Sequence, residues 1–117
     1  MLAEKVRQML LDRSDAESFC FELPCQECGE IWKSRPIRFS RAGVKPGSEG
    51  KSIVFDALYE KEKQIARELA VKEAMQNFNI CPICGRLVCD RCFMLCEDLD
   101  MCTSCAGKLE EPGERVL

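Results

Sequence analysis

Cysteine thiolates bind soft metal ions, and eight of the ten cysteines in this chain stand in four Cys-x-x-Cys pairs: Cys25/Cys28, Cys81/Cys84, Cys89/Cys92 and Cys102/Cys105. Two thiolates three residues apart on a tight turn supply half of a tetrahedral site. Eight supply two complete four-cysteine sites, the donor set that suits two structural Zn²⁺ ions. All four positions are then filled by protein, whereas a catalytic zinc needs an open one. The chain has no histidine to act as a general base and no glycine-rich phosphate loop. The sequence therefore points to a non-enzymatic protein without catalytic residues.

Other uses of cysteine carry different expectations. Ten cysteines in 117 residues also suit a disulfide-stapled secreted protein. The first fifteen residues, MLAEKVRQMLLDRSD, are charged throughout and lack the apolar core of a signal peptide. Cys-x-x-Cys neighbours also make redox pairs more naturally than structural staples. Iron competes more closely, since two facing pairs build a rubredoxin-like site. The spacing differs from the tight C-x2-C-x2-C-x3-C run of bacterial ferredoxins, and zinc remains the expectation. No stretch is long and apolar enough to span a membrane. A cytoplasmic, reducing location is expected.

Charged residues make up 32% and hydrophobic ones 46% of the chain, with one Trp and one Tyr beside six Phe. Cysteine supplies a good part of that hydrophobic share. The apolar core is modest, and metal coordination is expected to add folding energy that packing alone does not.

A single two-zinc domain over 1–117 is expected, in six stretches. Leu2, Val6, Met9 and Leu10 recur at helical spacing and predict a short helix within 1–13. Alternation at Phe19, Phe21 and Leu23, then Ile31, Ile37 and Phe39, predicts short strands over 18–41 around the first knuckle. Residues 42–52, with three Gly and one Pro, read as an exposed loop. An amphipathic helix is predicted over 56–79, with Asp56 as N-cap and Asn79 as its stop. Its apolar stripe is Leu58, Tyr59, Ile65, Ala66, Leu69, Ala70, Ala74 and Phe78. Residues 81–109 form a cysteine-rich core, and 110–117 a tail.

The densest motif is CPICGRLVCDRCF, residues 81–93. Gly85 directly follows the second sulfur of its turn, a position that favours positive φ. Four thiolates and one Zn²⁺ leave a charge near −2 that N–H groups and cations must offset, and Arg86 and Arg91 are placed to help. The residues alone leave the pairing open. Sequential sites would join Cys25/Cys28 to Cys81/Cys84, whereas interleaved sites would join first to third pair and second to fourth.

The run C-x-x-C-G-x-x-x-C-x-x-C, followed by a further C-x-x-C, resembles the cross-braced treble-clef zinc domains, namely the all-cysteine RING and the FYVE domains. The resemblance covers residues 81–105. It implies one site of Cys25, Cys28, Cys89 and Cys92 and another of Cys81, Cys84, Cys102 and Cys105. It does not carry phosphoinositide binding, because the basic His-containing run of FYVE domains is missing. Phe93 lies where a RING-like surface would welcome an apolar contact. Gln26 and Glu27, however, stand where a RING typically offers an apolar residue, and fold alone does not convey activity.

The fold class expected is a small α+β zinc-binding domain of treble-clef or zinc-ribbon type, with a helix inserted between the first and second pairs. Its expected function is a protein-interaction module, with Phe93, Met94 and Leu95 first on the contact surface and the 33–41 arm second. Nucleic acid is the alternative partner, through Lys33, Arg35, Arg38 and Arg41. Residues 33–51 are locally +5 in a chain of net charge −3, and basic patches bind phosphate backbones. Trp32 would be a stacking residue there. A RING-like ligase component is a further alternative. Cys20 and Cys96 are expected to be packed thiols without ligand roles.

Overall fold

The computed structural model describes residues 1–117 as an α+β rod of 65 × 20 × 17 Å. Its spine is α2 (Glu49–Met75), 27 residues long and about 40 Å from end to end at 1.5 Å per residue. The Ser48 side chain caps the helix by accepting from the Lys51 N–H at 3.2 Å, and Glu49 complements the positive end of the helix dipole. The helix thus begins at Ser48–Glu49 rather than near Asp56, and the last four residues of the expected loop 42–52 are helical. It ends at Met75, where the Asn77 side chain donates to the Glu73 carbonyl. Asn79, expected as the stop, lies in the strand that follows and donates instead to Asp90 Oδ1 at 2.9 Å.

Short elements pack along this spine. The chain opens with α1 (Leu2–Met9), whose Val6 is fully buried; it packs on α2. Beyond it the chain turns extended, so the helix expected within 1–13 gives way to β1 (Leu11–Asp12). Then come β2 (Ser18–Phe19), β3 (Phe21–Pro24), β4 (Ile31–Lys33) and β5 (Ile37–Arg38). One antiparallel sheet has the order β1-β3-β4, and β2 pairs separately with β5. Beyond α2, β6 (Phe78–Ile80) pairs with β7 (Leu87–Cys89). A 3₁₀ turn (Asp90–Cys92) leads to β8 (Phe93–Cys96), β9 (Met101–Cys102), α3 (Thr103–Lys108) and β10 (Gly113–Arg115).

The expected tail is therefore partly a strand: β10 closes a sheet of order β10-β8-β9. Gly113 is required there, because a Cβ would stand 2.7 Å from the Leu95 carbonyl oxygen and 2.9 Å from Cys96 Sγ.

One apolar core runs the length of the rod. Near the start of α2 it is aromatic, with Phe39 meeting Phe19, Phe55 and Tyr59 at centroid separations of 5.9, 5.3 and 5.1 Å. Along α2 it consists of Ala66, Ala70, Val71 and Ala74. Small residues let β2 and β3 approach the helix closely. Phe78 is buried as expected but belongs to β6, not the helix. Ile65 and Leu69 depart from expectation, being 55% and 49% exposed. The buried face of this stretch centres on the alanines, while Leu58 and Tyr59 pack on the core nearer the start of the helix.

Candidate metal centre

The chain builds the same turn twice, once before α2 and once after it. At the tip of the β3–β4 hairpin, the Gly29 N–H donates to the Cys25 carbonyl at 2.9 Å, and the Cys25 N–H to the Glu30 carbonyl at 2.9 Å. At the tip of β6–β7, the Gly85 N–H donates to the Cys81 carbonyl at 2.7 Å, and the Cys81 N–H to the Arg86 carbonyl at 3.0 Å. Gly29 and Gly85 both hold positive φ, +76° and +75°. Glycine reaches that left-handed region without a Cβ clash.

The other two pairs sit where strands run into helical turns. Cys89 precedes the 3₁₀ turn that contains Cys92, and Cys102 caps α3, which contains Cys105.

These turns bring the eight sulfurs into two groups. Cys25, Cys28, Cys89 and Cys92 form one, and Cys81, Cys84, Cys102 and Cys105 the other, with all sulfurs of a group within 4.8 Å of one another. The grouping is the interleaved one: first pair with third, second with fourth. Sulfur separations are 3.9 Å for Cys28–Cys89, 3.7 Å for Cys89–Cys92 and 3.8 Å for Cys84–Cys102. A tetrahedron with Zn–S bonds of about 2.3 Å has edges of about 3.8 Å. The separations are far beyond a disulfide bond, and all ten cysteines are free thiols. Each group could hold a zinc ion.

Backbone N–H groups point at the sulfurs. Cys25 Sγ accepts from Glu27, Cys28 and Cys89 at 3.3, 3.5 and 3.3 Å. Cys81 Sγ accepts from Cys102 at 3.3 Å, and Cys102 Sγ from Cys105 at 3.4 Å. Such donors favour thiolate over thiol. At Cys25, burial opposes ionisation, but these N–H groups outweigh it and bring the thiol down to about 7. At Cys84, burial is outweighed by the Arg86 guanidinium and backbone N–H, and the thiol falls to about 6.

Their partners move the other way. Burial, then crowding by neighbouring sulfurs, drives Cys92 well above the ordinary thiol range and Cys105 up to about 12. Without a cation, four sulfurs so close cannot all be anionic.

Arg86 is the cation expected near the sulfurs. Its Nε stands 3.4 Å from Cys84 Sγ and a terminal nitrogen 3.6 Å from Cys102 Sγ. Arg91 differs, since it pairs with Glu30.

Other expected surface residues scatter. Phe93 is 8% exposed and packs in the core, because the first residue of β8 turns inward. Met94 is half-buried, and only Leu95 of the expected trio is open, at 52%. Lys33, Arg35, Arg38 and Arg41 are all exposed. Trp32 is half-buried with its ring edge-on to Phe78, a packing role rather than a free stacking face. Cys20 and Cys96 join neither group; both are half-buried, with Cys20 Sγ 3.9 Å from the Ser34 carbonyl oxygen.

No helix is long and apolar enough to cross a membrane. No protein-family model, curated protein or solved structure matches the chain.

Proposed function

We propose that this protein is a non-enzymatic interaction module whose cysteine-rich end is held by two structural zinc ions. The ligands are Cys25, Cys28, Cys89 and Cys92 in one site and Cys81, Cys84, Cys102 and Cys105 in the other. The observation that carries this reading is the pair of closed four-sulfur groups at tetrahedral-edge separations. Each combines a hairpin-tip C-x-x-C-G turn with a second pair at a helical turn, 3₁₀ in the first group and the start of α3 in the second, a construction that supports the cross-braced treble-clef reading. With all four positions taken by sulfur, the ion would supply folding energy rather than an open coordination site.

The interaction role draws on α2. Its solvent side carries Val54, Ile65 and Leu69, with Leu58 half-buried beside them, and Ile37 of β5 lines a shallow groove with Ile65 and Leu69. An apolar stripe at this spacing is the kind of face that receives another protein's helix or apolar edge. Replacing Ile65 and Leu69 by glutamate should change folding stability little, since both are exposed. Partner capture from host extract should fall at least tenfold, with two zinc ions per chain retained by elemental analysis. Undiminished capture by the double variant would remove α2 from the interaction surface. A red, iron-containing protein would replace zinc in the assignment.

A second reading, contact with nucleic acid, draws on Arg35, Arg38, Arg41, Lys45 and Lys51. None of these side chains forms an ion pair, whereas those of Arg7, Arg13, Lys63, Arg86 and Arg91 all do. Steep salt dependence of binding would favour it.

The thiol environments set a pH dependence for metal binding. The depressed Cys25 and Cys84 contribute stabilisation that is complete above the unfolded thiol value, near 8.5. It is lost as pH falls through about 7 and then about 6. Cys92 and Cys105 are raised, so a metal must displace their protons. Loading therefore releases protons, and affinity must drop on acidification. Competition with a chelator at about pH 8 and pH 5.5 should show a fall of more than a hundredfold. A flat profile would mean that the thiols are not the ligands.

A further inference from the structure

We infer that Arg86 couples the two four-cysteine sites, so that they take up metal as a unit and the one-metal protein is scarce. This rests on the zinc reading above. The inference comes from what one side chain touches. On one side, the Arg86 guanidinium donates to Cys84 Sγ and Cys102 Sγ, two sulfurs from opposite arms of the second group. On the other, it donates to the Gln26 carbonyl at 3.0 Å and to the Glu27 carboxylate. Gln26 and Glu27 are the two residues enclosed by Cys25 and Cys28, so they form the turn of the first group. A single planar cation therefore fixes both arms of one site and the knuckle of the other.

The surrounding backbone makes that junction stiff. Gln26 N–H donates to the Leu87 carbonyl at 2.9 Å, and Leu87 N–H donates back to Gln26 Oε1 at 2.7 Å. Leu87 is fully buried. Two residues further along β7, the Cys89 N–H reaches Cys25 Sγ. Residues 84–89 thus run from a sulfur of the second group to a sulfur of the first without a flexible break. Arg91 and Glu30 pair across the two arms of the first group itself, so Arg86 alone of the two arginines reaches from one site to the other.

Two effects give the coupling its sign. Two four-thiolate zinc centres each carry a charge near −2 and repel, which by itself would favour one-metal protein. Arg86 stands between them and offsets that repulsion. Filling the second site also fixes Cys84 and Cys102 in place, and these two sulfurs hold the guanidinium and through it the Gln26–Glu27 turn. The first site then meets its metal with its knuckle already in place. By reciprocity, filling the first site aids the second to the same degree.

The test is native mass spectrometry of the full chain, stripped under reducing conditions and given one equivalent of Zn²⁺ per chain. Uncoupled sites leave about half the protein or more with one metal, whether or not their affinities match. The wild type should show less than about a third, with metal-free and two-metal chains in excess. Arg86→Ala removes no ligand and should raise the one-metal species to half or more. If that variant fails to fold, Glu27→Gln serves instead, because it weakens only the grip on the first knuckle; the same shift is expected. A wild type at half or more one-metal protein overturns the inference, as does an unchanged distribution in the folded variant. Binding of fewer than two metals at saturation would instead overturn the zinc reading itself.

Discussion

Stripping the metal with a strong chelator should unfold the end of the rod beyond α2. The apolar core there is small: Phe78, Leu87, Val88, Phe93, Met101 and Ala106, with four of the cysteines between them. Its strands are two to four residues long. Strands this short do not persist without support. Structural zinc contributes about 10–16 kcal/mol of binding energy in zinc-finger peptides, and whole domains are stable by only about 5–15 kcal/mol. Losing two ions therefore exceeds what packing can hold. Amide resonances of residues 78–116 should collapse to unfolded positions in an NMR spectrum, and added zinc should restore them. Dispersed resonances from β6 to β10 in the chelated protein would show that packing alone sustains this end, and the metals would lose their structural role.

Phe39→Ala should cause the largest loss of any single core truncation, at the opposite end. Phe39 is 1% exposed and touches three other aromatic rings, two of them edge-to-face from α2. Truncating a buried Phe costs about 3–5 kcal/mol, through lost transfer energy and the cavity left behind. Aromatic pairs add about 0.5–1.5 kcal/mol each. Urea denaturation with zinc present should show the loss, and elemental analysis should still find two metals per chain, because no ligand is touched. A loss below about 1 kcal/mol would mean that the cluster does not anchor the start of α2.

Much of the molecule was legible because its chemistry is local. The Cys-x-x-Cys spacing located all eight sulfurs that the fold gathers. Gly85 announced its turn, and Gly29 carries the same signal after Cys28. The cysteine pairing was not legible from the residues, since eight identical side chains carry no label; the resemblance supplied it. The start of α2 was obscured by three glycines in 42–52, although Ser48 followed by Glu49 is a helix-start signal. Spacing alone placed Ile65 and Leu69 on the buried face, but small residues can line a close helix–sheet contact and leave the larger ones outside. Phe93 sits next to a knuckle, and adjacency in sequence says nothing about which way the first residue of a strand turns. Arg86 was visible as a nearby cation. Its grip on Gln26 and Glu27 depends on residues about sixty positions apart meeting, which no local pattern encodes.

The interleaving of the two sulfur groups makes this fold indivisible. Had the sites followed one another along the chain, a cut between Gly85 and Val88 would leave two fragments, each with a whole site. Here the same cut leaves four sulfurs on each side, drawn half from one group and half from the other. Neither fragment could close a site alone. No shortened version ending before Cys89 keeps either site, and none starting after Cys28 keeps the first. Such a chain cannot shed one four-sulfur group as a module while retaining the other through truncation at the middle. Its halves must be made, folded and lost together.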